Sequence, residues 1–325
     1  VTAVATVLLL SNAQATYYVS STTGNDANNG LTEATPWKTI DKVNSVLFSN
    51  SSTILFKRGE VFRGALSALK SPLGLTFGAY GTGNNPVIAG SVLIKDWKPT
   101  TRPGLNSKVY EAVVTSLPLT AAGVVQLFAN GELMTIARYP NVDSPANKKW
   151  LKVGASAGTN AFTDRALVTY AKPEGYWKGA TLRLRNYSWT YAIQPITNYN
   201  AATGKITAPE LGDQLPEWGY FLDGKLGELD YPGEWYYDAT VKKVYFYPKG
   251  GVNPNTLVIE GTTYETGLSI SNQENNTTVA NLTFRHFTGK GVAVAGSDNI
   301  IVRNCRFEHN VTGLSLWNSA NSQVT

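Results

Sequence analysis

Asn276-Thr-Thr-Val-Ala-Asn-Leu-Thr-Phe-Arg-His286 aligns without a gap on Asn299-Ile-Ile-Val-Arg-Asn-Cys-Arg-Phe-Glu-His309, 23 residues later. Val279, Leu282, Phe284 and His286 fall over Val302, Cys305, Phe307 and His309. The next segment repeats at 22 residues, with Gly291-Val-Ala-Val over Gly313-Leu-Ser-Leu, Asn299 over Asn321 and Val302 over Val324. Short alternating apolar strands with Asn and Gly at the corners, at a period of 20–25 residues, predict an all-β parallel β-solenoid. One coil cannot bury its own apolar side chains, so coils stack roughly 4.8 Å apart, like residue on like.

Working back from this repeat, Leu257-Val-Ile-Glu carries the same beat, and solenoid coils are expected over 256–325. Between 97 and 255 the period is lost. Val124 to Ala137 reads as a hairpin, because Asn130-Gly131 supplies the positive φ angles of a type I′ turn. Glu234-Trp-Tyr-Tyr-Asp and Lys243-Val-Tyr-Phe-Tyr make a second hairpin, and 16 of the 36 aromatic residues crowd into 176–247. Residues 97–255 are therefore expected to form an inserted β-rich domain. Residues 16–96 are expected to hold an N-terminal cap and the first coils, with strands at 53–57, 74–80 and 85–90. The cap is predicted as a helix beginning at Thr35-Pro36, with Trp37, Ile40, Val43 and Leu47 on one apolar face.

Residues 1–15 are uncharged, largely apolar and end in Ala13-Gln14-Ala15, the pattern of a signal-peptide remnant. The run is too short to span a membrane. Thr325 falls inside a predicted strand, so the chain reads as cut at both ends. A secreted, periplasmic or cell-surface location is expected. The single cysteine rules out an internal disulfide, and Cys305 occupies the inward slot of Leu282. A net charge of +5 with only isolated basic pairs favours an acidic ligand mildly and nucleic acid hardly at all. The chain carries no Gly-rich phosphate loop, no G-x-S-x-G and no H-E-x-x-H motif, so nucleotide chemistry, serine hydrolysis and zinc proteolysis have no support.

The opening Thr16-Tyr-Tyr-Val-Ser, Gly24-Asn-Asp and Pro36-Trp-Lys-Thr-Ile, with Leu55-Phe-Lys-Arg-Gly-Glu-Val-Phe-Arg-Gly, resembles the entry of secreted right-handed parallel β-helix proteins of the pectate-lyase-like superfamily, which implies that fold. Ala137-Arg-Tyr-Pro-Asn and Leu229-Asp-Tyr-Pro-Gly-Glu-Trp-Tyr-Tyr-Asp look like segments of bacterial β-helix glycoside hydrolases. The resemblance implies a secreted carbohydrate-active enzyme, a glycoside hydrolase first, on a plant or algal polysaccharide. A lyase acting on a uronate polymer and a non-catalytic adhesive solenoid are the alternatives. It also implies that the catalytic acids of such enzymes sit on later coils, so this fragment is expected to be inactive. A monomer that binds polysaccharide is expected, with no nucleic-acid partner.

If Phe284 and Phe307 point inward, Thr283, Arg285, Arg306 and Glu308 point outward. Arg285, Arg306, Glu308 and His309 are then the carbohydrate-binding candidates, and a cross-coil ion pair between Arg285 and Glu308 is the plainer reading. No catalytic residue is assigned. His286 and His309 lack the further ligands a metal needs and are read as stacked corners. Eight acids from Glu210 to Asp238 could suit glycoside cleavage or calcium. Asp230 and Glu234 bracket a Pro-Gly turn, so structure explains them better, and no cofactor or metal ligand is assigned. Trp177, Trp189, Trp218 and Trp235 invite sugar stacking, yet most are expected in the core.

Overall fold

The computed structural model describes residues 14–67, 73–119, 123–142 and 150–325. Most of the signal-peptide reading, residues 1–13, lies outside the described residues. The chain divides into two compact units. One contains residues up to 92, 117–125 and 261–325. The other contains 93–116 and 126–260.

The first unit is a parallel β-helix with three sheets. The first sheet stacks Thr16–Val19, Thr53–Lys57, Thr76–Tyr80, Thr278–Ala280, Ile301–Arg303 and Gln323–Val324. The second stacks Val61–Arg63, Val87–Ala89, Thr283–Arg285 and Arg306–Glu308. The third stacks Leu66–Ser67, Thr266–Ser271, Lys290–Ala295 and Thr312–Trp317. One coil is discontinuous in sequence. Its first two strands are Thr76–Tyr80 and Val87–Ala89, and its third is Thr266–Ser271. The coil register is nevertheless kept, with Phe77 paired to Val279, Ile88 to Phe284 and Leu66 to Leu268. Alternation puts Ile54, Phe56, Phe62, Ile88, Val279, Leu282 and Phe284 inside, each at most 2 % exposed. Fully burying one such side chain contributes about 1.5–3 kcal/mol, and the stack repeats that gain coil by coil.

Corners follow from backbone strain. Asn276, Asn299 and Asn321 occupy one column with φ of 61°, 57° and 53°, and Asn281 and Asn304 another with 58° and 51°. Asparagine tolerates the left-handed region better than most residues, because its short amide bonds locally. The Asn299 Nδ2 donates to Asn276 Oδ1 at 3.1 Å, which ties one coil to the next. His286 and His309 are also left-handed, at 63° and 51°. Gly267, Gly291 and Gly313 form a further column. A Cβ on Gly291 would lie 2.7 Å from both the Gly313 carbonyl oxygen and the Phe307 ring, so only glycine lets those rings close against the turn.

The predicted cap helix is shorter and starts later. It spans Ile40–Ser45, N-capped by Thr39, whose Oγ1 accepts the Lys42 amide. Asp26 accepts the Lys38 and Thr39 amides and the Thr39 hydroxyl, so the turn is set before the helix begins. Pro36 is not its first residue, because Trp37 is extended and exchanges backbone hydrogen bonds with Tyr18 and Ser20. Ile40 and Val43 join the solenoid core, whereas Leu47 is 76 % exposed. Cys305 is half-buried rather than buried, and its surroundings push the thiol pKa up through burial.

The second unit is built mainly from antiparallel pairings, with Thr135–Ile136 parallel to Glu234–Asp238. Both predicted hairpins are present: Leu127–Ala129 with Glu132–Leu133 about Asn130 and Gly131, and Glu234–Asp238 with Lys243–Phe246. A further sheet orders Arg138–Tyr139, Gly219–Asp223, Thr181–Arg185 and Tyr191–Pro195, with Leu151–Lys152 also on Gly219–Asp223. Its inner face, from Leu182, Leu184, Ala192, Tyr220 and Leu222, packs with Trp177, Phe162 and Tyr199.

Candidate functional site

The outer face of the second solenoid sheet collects the sequence candidates. Pairing aligns Val87, Thr283 and Arg306 in one cross-strand row and Ala89, Arg285 and Glu308 in the next. Beside them lies a groove of about 490 Å³ lined by Gly83, Asn84, Asn85, Val87, Thr283, Arg306 and Glu308. The loop that walls it is held by Asn85, which accepts from Arg58 Nη1 at 2.6 Å and donates to the Asn304 carbonyl at 3.1 Å.

Arg306 and Glu308 both line this groove, and Arg285 stands opposite Glu308 in register. Glu308 forms an ion pair with Arg306, two residues earlier on the same strand, where alternation puts both side chains on one face. Thr283 points to the outer face but is only 6 % exposed, because it sits between Val87 and Arg306 in the same cross-strand row. Among the groove-lining residues Glu308 is the single carboxylate, so the groove offers charge and hydrogen bonds without the acid pair of a glycosidase.

His309 is exposed at the corner next to Glu308, while His286 is 1 % exposed one coil earlier. Their ring centroids lie 5.8 Å apart. His286 Nδ1 meets the buried Ser91 Oγ at 3.2 Å, and Arg63 Nη1 donates to that Oγ and to the Ser91 carbonyl. The pair thus anchors a corner. Asn310 serves it as well, accepting the Phe287 amide and donating to the Phe284 carbonyl, both at 3.0 Å.

The buried acids of the second unit are engaged structurally. Asp223 pairs with Arg183 at 2.5 Å. The buried Glu228 accepts from Tyr170 and Tyr176 hydroxyls and from Lys172. Glu234 accepts the Arg138, Asp230 and Tyr231 amides, and burial pushes its pKa up to about 8. Asp230 and Glu217 remain exposed, the latter paired with Lys152. No group of three metal-ligating side chains occurs among the described residues. Likewise, no helix among them is long and apolar enough to cross a membrane.

Sequence reasoning missed the Gly83–Asn85 wall, Val87 and the Arg63–Ser91 support. They join the site only because 87–89 stacks on 283–285 across the discontinuity, and no local period signals that pairing. The shared apolar pattern of Val87-Ile-Ala and Thr283-Phe-Arg was the available hint.

These features define the class: the chain is a right-handed parallel β-helix that resembles glycoside hydrolases. A family model described as "Right handed beta helix region" matches residues 247–325. A solved structure of a glycoside hydrolase superposes with a TM-score of 0.69 at 18 % identity, over 92 % of this chain and 63 % of that one. A lacto-N-biosidase of Bifidobacterium longum subsp. longum is 35 % identical over 115 residues, 32 % of this chain and 7 % of that protein. A GH136 lacto-N-biosidase from Eubacterium ramulus superposes with a TM-score of 0.35 at 14 % identity, over 95 % of this chain and 40 % of that one. The chain therefore spans less than two thirds of the length of each of these proteins.

Proposed function

We propose that this chain belongs to a secreted carbohydrate-active enzyme, a glycoside hydrolase, and that its solenoid groove holds a glycan chain of plant or algal origin. The observation that carries the reading is the open groove edged by the Arg306–Glu308 pair on the flat outer face of a β-helix sheet. Such a face runs along the stack and suits a polymer. Arg306 would donate to sugar hydroxyls or to a uronate, and Glu308 would accept from hydroxyls. With a single carboxylate in the groove, this chain is expected to bind glycan and not to cleave it.

The test uses the chain as it stands against pectic, hemicellulosic and algal polysaccharides and a lacto-N-bioside, the last because one relative is a lacto-N-biosidase. Affinity is read by calorimetry and cleavage by reducing-end release. The reading expects measurable affinity for at least one glycan, reduced fivefold or more by Arg306→Ala and by Glu308→Gln. Affinity unchanged in both variants removes the groove from the account. Turnover by the chain that Glu308→Gln abolishes makes Glu308 catalytic and overturns the binding-only expectation.

A further inference from the structure

The second unit presents a surface that the groove does not use. Its sheet of Arg138–Tyr139, Gly219–Asp223, Thr181–Arg185 and Tyr191–Pro195 buries one face, and strict alternation sends Arg183, Arg185, Tyr191, Ile193 and Phe221 to the other. Register places Arg185 opposite Tyr191 and Arg183 opposite Ile193. Tyr191 is 56 % exposed and Ile193 57 %. At the turn joining these strands, Trp189 is 80 % exposed and stacks on Tyr187, with centroids 5.9 Å apart and planes 18° from parallel. Trp150 continues the aromatic surface, lying near-parallel to Tyr191 at 6.3 Å and edge-on to Phe221 at 5.0 Å.

A side chain as large as tryptophan left 80 % in water contributes little to folding, and flat exposed rings are what apolar sugar faces pack on. The charge on this face selects the sugar. Arg183, Arg185 and Lys152 stand on it, and Arg183 and Lys152 are paired to Asp223 and Glu217. Arg185 donates to the Tyr187 and Ser188 carbonyls and lies 5.5 Å over the Trp218 ring. These bonds fix the turn that carries Trp189 and leave the Arg185 charge without a carboxylate partner among the described residues. We infer that this aromatic and arginine face is a second glycan-binding site, one that takes an acidic polysaccharide: the rings stack on sugar faces and Arg185 meets the carboxylate or sulfate group.

The inference takes only the class of ligand from the proposed function, and it concerns different residues. The probe is polygalacturonate, with its fully methyl-esterified form as the uncharged control, measured by affinity electrophoresis and calorimetry on the whole chain. Wild type is expected to bind the acid form at least tenfold more tightly than the ester. Trp189→Ala and Tyr191→Ala are each expected to weaken binding tenfold or more. Arg185→Gln is expected to bring the acid and ester forms within threefold of each other. All three positions are solvent-facing, and an unchanged thermal melt verifies that each variant folds. Equal affinity for acid and ester in wild type overturns the inference. Binding that persists in Trp189→Ala and Tyr191→Ala but falls in Arg306→Ala also overturns it, and leaves the groove reading standing. No binding to polygalacturonate at all overturns it as well, while affinity for another glycan through Arg306 would preserve the groove.

Discussion

The solenoid and the inserted unit bury their side chains by different rules. In the solenoid each inward residue rests on its like one coil away: Val279 on Val302, Phe284 on Phe307. In the inserted unit the core is a mixed packing of Trp177, Tyr199, Tyr220 and Phe162 with no repeat. Two buried acids, one from each unit, differ in the direction of their shift. Glu60 of the solenoid accepts bonds from Ser20, Ser21 and Thr22. Burial alone would raise its pKa, yet these bonds hold it below the usual carboxylate range. In Glu234 burial wins over three amide bonds and pushes the value up to about 8.

The largest effect that sharpens this contrast is in the repeated core. Phe284→Ala removes a ring packed between Ile88 and Phe307 and is expected to cost about 3–5 kcal/mol in denaturant unfolding. Since a solenoid transmits damage only to neighbouring coils, hydrogen exchange should rise in 87–89 and 306–308 and stay unchanged in 181–185. Exchange rising equally in both units would erase the distinction.

The two buried acids predict opposite pH dependences. Glu234 has a raised folded pKa, so its contribution is intact below about 4.5 and is lost as pH rises through about 8. A tenfold difference in proton affinity between the folded and unfolded chain is worth about 1.4 kcal/mol, which caps the loss at a few kcal/mol. Glu234→Gln should flatten the alkaline limb of a stability curve. Glu60 has a lowered folded pKa, so its contribution is present above the unfolded value and is lost as pH falls through the folded one. Glu60→Gln should flatten the acid limb, and the same limb responding to both substitutions would break the comparison.

The smallest expected effect lies at a corner. Asn299→Ala puts a residue without a side-chain amide at φ 57° and removes the bond to Asn276, for about 1–2 kcal/mol in total. Asn299→Gly, which relieves the strain, should cost less than Asn299→Ala, and the reverse order would refute the corner argument.

Much of the solenoid was legible because a period exposes which residues stack: Val279, Leu282 and Phe284 read as inward, and Arg306 and Glu308 as neighbours on one face. Two kinds of information were not periodic. Trp37 has helical spacing from Ile40 and Val43 but is extended, since its backbone partners at Tyr18 and Ser20 come from another segment. The groove wall at Gly83–Asn85 depends on coils joined across the inserted unit. In that unit the hairpins were legible from Asn130-Gly131 and from strand alternation. Trp150 and Tyr191 were not singled out, because exposure of an aromatic in a non-repeating sheet depends on pairing that no sequence interval reveals.

The central claim is that the β-helix continues in register across the inserted unit, bringing Val87 beside Thr283 to build the groove. A disulfide between Val87→Cys and Thr283→Cys, in a Cys305→Ser background, tests it most directly, since adjacent in-register strands bring such pairs within bonding reach. The account predicts near-complete cross-linking of the folded chain under mild oxidation, seen as a mass loss of about 2 Da and a non-reducing mobility shift. Two free thiols under the same conditions, in a chain that still folds, would contradict it.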